Sequence, residues 1–289
     1  MARESGVKKL IITGDDFGLA QPVNEAILSA HTEGVLTTAS LMVGADFAED
    51  AVRRLKNHPS LKVGLHLVLV EGRSVLPARE IPALVDREAM FSDHLIRSGF
   101  KFFFRPGIRK QLEAEIRAQF EAFQKTGLEL DHVNAHNHLH LHPTIMGLIL
   151  KIGRDFGLKA VRLPNEPPLR SWRAAHRSAA GRFGSWLFLS PWLKLMKRML
   201  QSAGVKYNDY LFGMVDSGSM TLDLILKIIK NLPAGVTEIY FHPAARRCKE
   251  IERTMAHYRH EEEYRALTST KLAEAIQRAG ITRIAFCDI

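Results

Sequence analysis

The chain has 289 residues, 46% of them hydrophobic and 25% charged, which is enough to bury the core of one barrel-sized domain or of two smaller ones. A formal net charge of +9 favours anionic partners such as nucleic acid, acidic lipid headgroups or an anionic substrate. Two cysteines exclude a disulfide framework and predict a reducing, cytoplasmic environment. Residues 1–9 are polar and do not resemble an export signal, and no apolar run is long enough to predict a membrane span.

Short apolar runs alternate along the chain with longer amphipathic ones. The predicted strands are 9–13, 37–43, 63–67, 130–134, 160–163, 237–241 and 283–286, and the predicted helices are 22–31, 47–57, 109–126, 143–156, 222–230 and 268–279. Pro22 and Pro143 suit the first turn of a helix, where the missing N–H is not needed. This βαβα order predicts an α/β fold of parallel strands in one domain that spans residues 1–289.

Acidic and imidazole side chains follow four of the predicted strands. Asp15 and Asp16 follow the first strand, His66 ends the third, His136 follows the strand at 130–134, and His242 follows the strand at 237–241. In parallel barrels and open α/β sheets, active sites are built at this carboxyl edge. Four strands that carry such groups to one edge are the main physical argument for an enzyme.

The segment 134–143 places four of the thirteen histidines within seven residues. His136, His138, His140 and His142 alternate with other residues, so an extended segment would carry all four on one face. Imidazole titrates near neutrality and is the commonest metal ligand, so the segment predicts metal ligands or proton carriers. The alternative is a solvated polar loop, which the apolar strand before the segment and the apolar helix after it disfavour.

The adjacent carboxylates of Asp15 and Asp16 repel each other unless a cation or hydrogen bonds compensate. A divalent ion could bind one carboxylate while the other accepts a proton from water, although the same motif is also good turn chemistry. The acid pair and the histidine run strengthen the interpretation of His66 as a metal ligand, since Asp and His together form a common ligand set for catalytic zinc. His242 could protonate a leaving group, or could simply end its strand.

Together these motifs resemble the YdjC-like carbohydrate deacetylases, and the resemblance spans nearly the whole chain. It rests on residues 13–18, 23–24, 34–43, 64–67, the histidine run from His136, and 241–243. Residues 66–77, 101–107 and 131–136 are similar to the hopanoid-biosynthesis-associated HpnK branch of that family.

The resemblance implies a distorted (β/α) barrel with its helices outside, and metal-dependent removal of an N-acetyl group from an amino sugar. It implies that Asp16, His66 and His136 bind one divalent ion, zinc or magnesium, with Asp15 as general base and His242 as general acid. The HpnK branch implies N-acetylglucosamine linked to a hopanoid lipid, bacteriohopanetetrol, as substrate. Two other functions stay open: deacetylation of soluble N-acetylated chitooligosaccharides, and metal-bound sugar binding without turnover.

The histidine run departs from the family at one position. Relatives commonly show three successive histidines where this chain has His136-Asn137-His138. Asn137 cannot transfer a proton as imidazole does, so any role of that histidine is altered here. The residues expected to contact the substrate or to support the ligands are His138, His140, Asn134 and Arg162.

The segment 170–200, within an insert at about 166–208, does not fit the α/β order. It contains all three tryptophans and no acidic residue, and its cations are Arg170, Arg173, Arg177, Arg182, Lys194, Lys197 and Arg198. Trp186, Phe188 and Trp192 lie in an apolar run that Pro191 is expected to interrupt. Cations beside such a run predict peripheral contact with an anionic membrane on its inner face. A helical hairpin packed on the barrel is the alternative.

Nucleic-acid binding is the competing explanation of the positive charge. The chain shows no binding motif with interleaved base-stacking aromatic residues, and the cations cluster instead with tryptophan and leucine. We therefore expect an amino-sugar or glycosylated-lipid substrate rather than nucleic acid. A homodimer is compatible with the sequence.

Overall fold

The computed structural model describes residues 6–92 and 106–289. Within this part of the chain, one sheet contains β1 (Lys8–Phe17), β2 (Thr38–Leu41), β3 (Lys62–Leu67), β4 (Leu130–Ala135), β5 (Tyr210–Phe212), β6 (Gly235–Phe241) and β7 (Thr282–Arg283). The strand order is β4-β3-β2-β1-β6-β5, and β7 pairs with β1. All of these pairings are parallel, as the alternating order of strands and helices predicted.

The helices pack around this sheet and cover it with their apolar faces. They are α1 (Gln21–Thr32), α2 (Ala48–Leu55), α3 (Pro106–Lys125), α4 (Pro143–Gly153), α5 (Pro168–Ala175), α6 (Ala179–Ala203), α7 (Leu222–Lys230), α8 (Lys249–Met255), α9 (His260–Leu267) and α10 (Thr270–Arg278). Leu10 and Ile12 of β1 belong to the same buried cluster as Val23 and Ile27 of α1. One core therefore lies between the sheet and the helices, as in other parallel α/β domains.

An irregular segment at 159–165 connects the two outer strands of the sheet. The Val133 amide on β4 donates to the Ala160 carbonyl at 3.0 Å, and the Val161 amide donates to the Lys206 carbonyl at 3.0 Å. The Leu211 amide on β5 donates to the Asn165 carbonyl at 2.9 Å. These few bonds bring the edges of the curved sheet together, which confirms the prediction of a distorted, incomplete barrel.

The predicted elements match the structure to different degrees. Helix 222–230 is predicted with the observed bounds, whereas strand 160–163 forms only isolated bridges. The prediction of a strand at 283–286 is wrong beyond Arg283, because the Asp288 carboxylate accepts the Ala285 amide at 2.9 Å and starts a 3₁₀ helix. The sequence analysis missed β5, α8 and α9, which are too short for a clear period.

The insert forms α5 and α6, and α6 runs through Pro191 without a break. Pro191 thus interrupts the apolar run in the sequence but does not break the helix. Proline removes the amide that would donate to the Leu187 carbonyl, and the Ser190 hydroxyl donates to that carbonyl instead, at 3.1 Å. Among residues 6–92 and 106–289, no helix combines the length and the apolar character needed to cross a membrane.

Arg182 corrects the picture of the insert as a surface of solvated cations, because it is only 2% exposed. Its guanidinium donates to both carboxylate oxygens of Asp216, at 2.8 and 2.7 Å, and to Glu166 Oε1 at 3.3 Å. Arg177 also donates to Asp216, at 2.8 Å. Acidic residues outside the segment 170–200 thus neutralise two of its seven cations. The insert therefore presents fewer unpaired positive charges to solvent than its sequence alone suggests.

Candidate active site

Asp15 and Asp16 lie inside β1, near its carboxyl end, and both are buried. Successive strand residues normally point to opposite faces of a sheet. Here the pairing of β1 with β2 shifts register between Gly14 and Phe17, and Asp16 has a φ of +61°. Such a bulge redirects side chains, which explains how both carboxylates reach one site.

Three side chains predicted as ligands converge from β1, β3 and the end of β4. Asp16 Oδ1 lies 3.3 Å from His66 Nε2 and 3.3 Å from His136 Nδ1. The two imidazole nitrogens are 3.4 Å apart. In the described part of the chain, neither oxygen of Asp16 has a hydrogen-bond partner, although both are buried. An orphaned carboxylate facing two imidazole nitrogens fits a bound cation.

The buried charges around these ligands are unbalanced. Asp15, Asp16 and Glu238 contribute three carboxylates, while Arg162 contributes one guanidinium. Burial lowers the pKa of His136, but Asp16 and Glu71 outweigh it and raise the pKa to about 10. Burial likewise raises the pKa of Asp16, yet His136 holds it well below its usual range. The site therefore favours positive charge, which a divalent cation would supply in place of a proton.

Neighbouring side chains select which nitrogen of each histidine faces Asp16. His66 Nδ1 donates to Asn134 Oδ1 at 2.6 Å, which leaves Nε2 free for an ion. In His136 the roles are reversed: Nδ1 faces Asp16, and Nε2 lies 3.8 Å from Glu71 Oε2. Such partners orient metal-binding histidines in known proteins. Asn134 thus orients the ring of His66, one of the three residues that could hold the ion.

Glu71 is a site residue that the sequence analysis missed. It lies in a loop with a φ of +54°, and its Oε2 accepts a hydrogen bond from Asn137 at 3.0 Å. No motif marks this glutamate, since its contacts depend on where the loop after β3 meets the segment after β4. Asn137 therefore orients the carboxylate beside His136 and has no visible part in proton transfer.

A chain of hydrogen bonds extends from His66 into the core. Asn134 Nδ2 donates to Ser40 Oγ at 2.9 Å, Ser40 Oγ lies 3.1 Å from His132 Nε2, and His132 Nδ1 lies 3.0 Å from Asp131 Oδ2. One assignment of protons satisfies every step, with each group from His66 onward donating to the next group toward Asp131. His132 therefore supports the site from behind and is not a ligand.

Arg162 holds Asp15 in place with two parallel hydrogen bonds, at 2.6 Å to Oδ2 and 2.9 Å to Oδ1. The same buried guanidinium donates twice to Glu238 Oε1, at 2.9 and 2.7 Å. Burial raises the pKa of Asp15, but the charge of Arg162 outweighs it and keeps the pKa well below its usual range. Asp15 is consequently an ionised, well-oriented acceptor of limited basicity. Arg162 supports it, in line with one of the predicted roles.

The histidine run is not extended, so the prediction of one shared face is wrong. Residues His136–Leu141 form a 3₁₀ helix in which Asn137 and His138 both have a φ of 52°. His140 is buried and bonded to backbone through both nitrogens: Nδ1 accepts from the Ala135 amide at 3.2 Å, and Nε2 lies 3.1 Å from the Arg162 carbonyl. His140 thus supports the fold, while His142 accepts the Thr144 amide at the start of α4.

His138 is the member of the run that faces the cavity together with His136. Its Nε2 lies 3.0 Å from the Tyr240 hydroxyl, and its buried Nδ1 has no partner among residues 6–92 and 106–289. Burial keeps the pKa of His138 well below its ordinary value, so the ring is neutral. A neutral imidazole with one open nitrogen is suited to bind a substrate hydroxyl or amide.

His242 follows β6 and lines the same cavity. Its amide donates to Glu263 Oε2 at 2.6 Å, and its carbonyl accepts from His260 Nδ1 at 2.6 Å. Burial lowers the pKa of His242 to about 4, although Asp16 and Asp15 act in the opposite direction. The resting ring is therefore neutral at pH 7. Sequence reasoning missed Glu263, whose pKa burial raises to about 7.

These side chains line a cavity of ≈ 400 Å³, large enough for a small ligand. The residues described above that line it are Asp15, His66, His136, His138, Tyr240 and His242. A molecule bound in this cavity would therefore contact a potential ion site, an ionised carboxylate and a neutral imidazole. That arrangement suits hydrolysis of an ester or amide bond.

Comparisons with known proteins find relatives along nearly the whole chain. The model of the family described as YdjC-like protein matches residues 9–278. A carbohydrate deacetylase from Brevibacillus brevis is 31% identical over 287 residues, which cover 97% of this chain and 99% of that protein. A carbohydrate deacetylase from Oceanobacillus iheyensis is 36% identical over 145 residues, 50% of this chain and 60% of that protein.

Among solved structures, a putative cellobiose-phosphate cleavage protein from Enterococcus faecalis matches with a TM-score of 0.77 at 25% identity, covering 97% of this chain and 98% of that one. The similarity to the HpnK branch at 101–107 lies, up to residue 105, outside the described residues. The family model covers most of the chain, and the full-length relative covers nearly all of it. The chain therefore belongs to the YdjC-like protein family.

Proposed function

We propose that this protein is a divalent-metal-dependent hydrolase that removes the N-acetyl group from an amino sugar. The observation that carries the proposal is the convergence of Asp16, His66 and His136 beside an ionised Asp15. The name carbohydrate deacetylase of a relative that matches along its full length supports the same reaction. Both observations concern one site, so one set of variants tests them together.

The charges around the cavity suggest how the reaction would proceed. A bound ion would act as a Lewis acid toward the acetamide carbonyl and the attacking water. Asp15 would accept the proton of that water as the new C–O bond forms. The proton would pass to His242, which lines the same cavity, and from there to the amine nitrogen as the C–N bond breaks, releasing acetate and the free amine.

For the identity of the ion, the donor set favours zinc over magnesium. Two imidazole nitrogens and one carboxylate oxygen would hold the ion, and this set suits zinc, whereas magnesium is bound mainly through oxygen atoms.

For the substrate, we propose N-acetylglucosamine linked to a hopanoid lipid such as bacteriohopanetetrol. The resemblance to the HpnK branch supports this choice, and so does the insert, on which most of the exposed large apolar side chains of the described residues lie. Soluble N-acetylated chitooligosaccharides are the alternative substrates. A sugar-binding protein without turnover is the alternative function, and the acid and base groups around the cavity argue against it.

The insert also supports peripheral binding to an anionic membrane, on its inner face. Trp186, Phe188 and Trp192 remain exposed on α6. Lys194 and Lys197 are exposed farther along the same helix. Apolar side chains that enter the interface while cations contact anionic headgroups are typical of interfacial helices. This contact would bring the catalytic cavity to a substrate that resides in the bilayer.

The test is a deacetylation assay on protein stripped of metal with a chelator and then reloaded with zinc or magnesium. N-acetylglucosaminyl bacteriohopanetetrol and N,N′-diacetylchitobiose serve as substrates, and mass spectrometry follows the loss of one acetyl group. Turnover that requires metal and disappears in His66→Ala supports the proposal. Sugar binding without acetyl loss in any metal-loaded sample contradicts it and favours the binding protein.

A further inference from the structure

The catalytic cavity has an apolar neighbour on the side of the insert. Met214 lines the ≈ 400 Å³ cavity and also lines a small pocket formed with Val215 and with Trp186, Leu189 and Leu193 of α6. One side chain is thus a wall of both spaces. Met214 therefore connects the cavity that holds the reacting groups with the pocket against α6.

The loop at 213–218 that carries Met214 is held rigidly. Glu166 Oε2 accepts the Met214 amide at 2.8 Å and the Val215 amide at 3.1 Å. Farther along, the Ser217 hydroxyl lies 2.9 Å from the Tyr258 hydroxyl. Even so, the Val215 side chain is 40% exposed. Trp186, which lines the same small pocket as Val215, is also 40% exposed. The two side chains form an exposed apolar surface, and the hydrogen bonds of the loop hold Val215 in place within it.

A second groove, of ≈ 260 Å³, adjoins the cavity and shares Glu71 and His136 with it. The walls of this groove are mixed, since charged side chains such as Arg73 lie beside apolar ones such as Leu19. The small pocket against α6 is lined mostly by apolar side chains. An apolar substituent of the sugar is therefore better matched to the pocket against α6 than to the mixed groove.

We infer that Met214, Val215 and Trp186 form a subsite for the apolar aglycone of a glycoside whose N-acetylated sugar occupies the catalytic cavity. The inference rests on the proposed function and adds to it the direction in which the substrate lies. The sugar enters the cavity, and its apolar substituent crosses the loop at 213–218 toward α6. Because burial of one methylene contributes about 0.8 kcal/mol, each methylene placed on the subsite should improve binding up to about fourfold.

The experiment compares methyl and octyl N-acetylglucosaminides below the micellar concentration of the octyl compound, with zinc-loaded protein and without vesicles. We expect kcat/KM to be at least tenfold higher for the octyl glycoside. Val215→Ser and Trp186→Ser should each lower the octyl-to-methyl ratio severalfold. Leu195→Ser is the matched control, since Leu195 is also 40% exposed on α6 and does not line either space. It should keep the wild-type ratio.

Equal kcat/KM for the two glycosides in the wild type would overturn the subsite and leave the deacetylase proposal standing. A ratio that Leu195→Ser lowers as much as Val215→Ser would also overturn it, since the effect would then be nonspecific. Calorimetric Kd values for the same pair of compounds decide the question if neither is hydrolysed. Tighter octyl binding that Val215→Ser weakens would support the subsite, while absent turnover would count against the proposed reaction alone.

Discussion

Replacing Asn134 with alanine removes the acceptor that selects the tautomer of His66. Asn134 Oδ1 lies 2.6 Å from His66 Nδ1, and the amide group also donates to Ser40 at 2.9 Å and to Asp15 at 3.3 Å. Without this acceptor, the His66 ring can rotate or take the other tautomer, in which Nε2 carries the proton and cannot bind an ion. We therefore expect weaker metal binding even though all three ligands remain.

Loss of a partner behind a metal ligand typically weakens metal binding by about 10–100-fold, which corresponds to about 1.4–2.8 kcal/mol. The hydrogen bond here is short and buried, so we expect a value toward the upper end. Asn134→Asp keeps an acceptor for His66 Nδ1 but loses the donors to Ser40 and Asp15. It should restore metal affinity while leaving turnover low, because a second carboxylate would lie beside Asp15.

The assay is the apparent Kd for zinc, measured by competition with a chromophoric chelator at fixed pH. Asn208→Ala is the matched control, since Asn208 is equally buried and makes three backbone hydrogen bonds, at 2.8, 2.8 and 2.9 Å, away from the ligands. Both alanine variants should lower the free energy of unfolding, but only Asn134→Ala should weaken zinc binding. Equal zinc affinity in Asn134→Ala and wild type would refute the role assigned to the His66–Asn134 bond.

Asp15→Asn should keep the full metal content and lose about 10²–10⁴-fold in kcat, the usual contribution of a general base, and near-normal turnover would remove Asp15 from that role. Burial raises the pKa of Asp131, but His132 outweighs it and lowers the pKa from 3.8 to about 2. A lowered carboxyl pKa stabilises the fold above about pH 4, and this stability is lost as the pH falls toward 2. The difference in unfolding free energy between wild type and Asp131→Asn, measured by denaturant titration, should therefore shrink over that range, and a constant difference would contradict the assignment. Trp186→Ser combined with Trp192→Ser should reduce sedimentation with anionic vesicles. Wild-type binding should weaken in 1 M salt, where the Debye length falls to about 3 Å, without vanishing; unchanged sedimentation of the double variant would mean that the insert only packs on the barrel.

Local sequence pattern was sufficient to predict that acidic and imidazole side chains meet at one edge of the sheet, whereas the choice of Asp16, His66 and His136 as ligands came from the resemblance to the YdjC-like deacetylases. Asp16, His66 and His136 each come at or just after the end of a buried strand, and parallel strands bring their carboxyl ends to one edge. The 3.6-residue period likewise gave the bounds of the helix at 222–230, because its apolar face repeats over more than two turns. Both predictions depend on neighbours in sequence and on the parallel order alone.

Tertiary structure decided the remaining roles, since they depend on pairs of side chains that are distant in sequence. Arg162 contacts Asp15 across 147 residues, and no local pattern specifies that distance. Asn137 and His138 both have a φ of 52°, and the resulting turns prevent the histidines from sharing one face. His136, His138 and His140 therefore lie in three different surroundings. The spacing of residues along the chain determines which way their side chains point only where the backbone is regular. At the bulge of β1 and in the turn after β4 the backbone is irregular, and there only the packing of the whole domain determines what each side chain contacts.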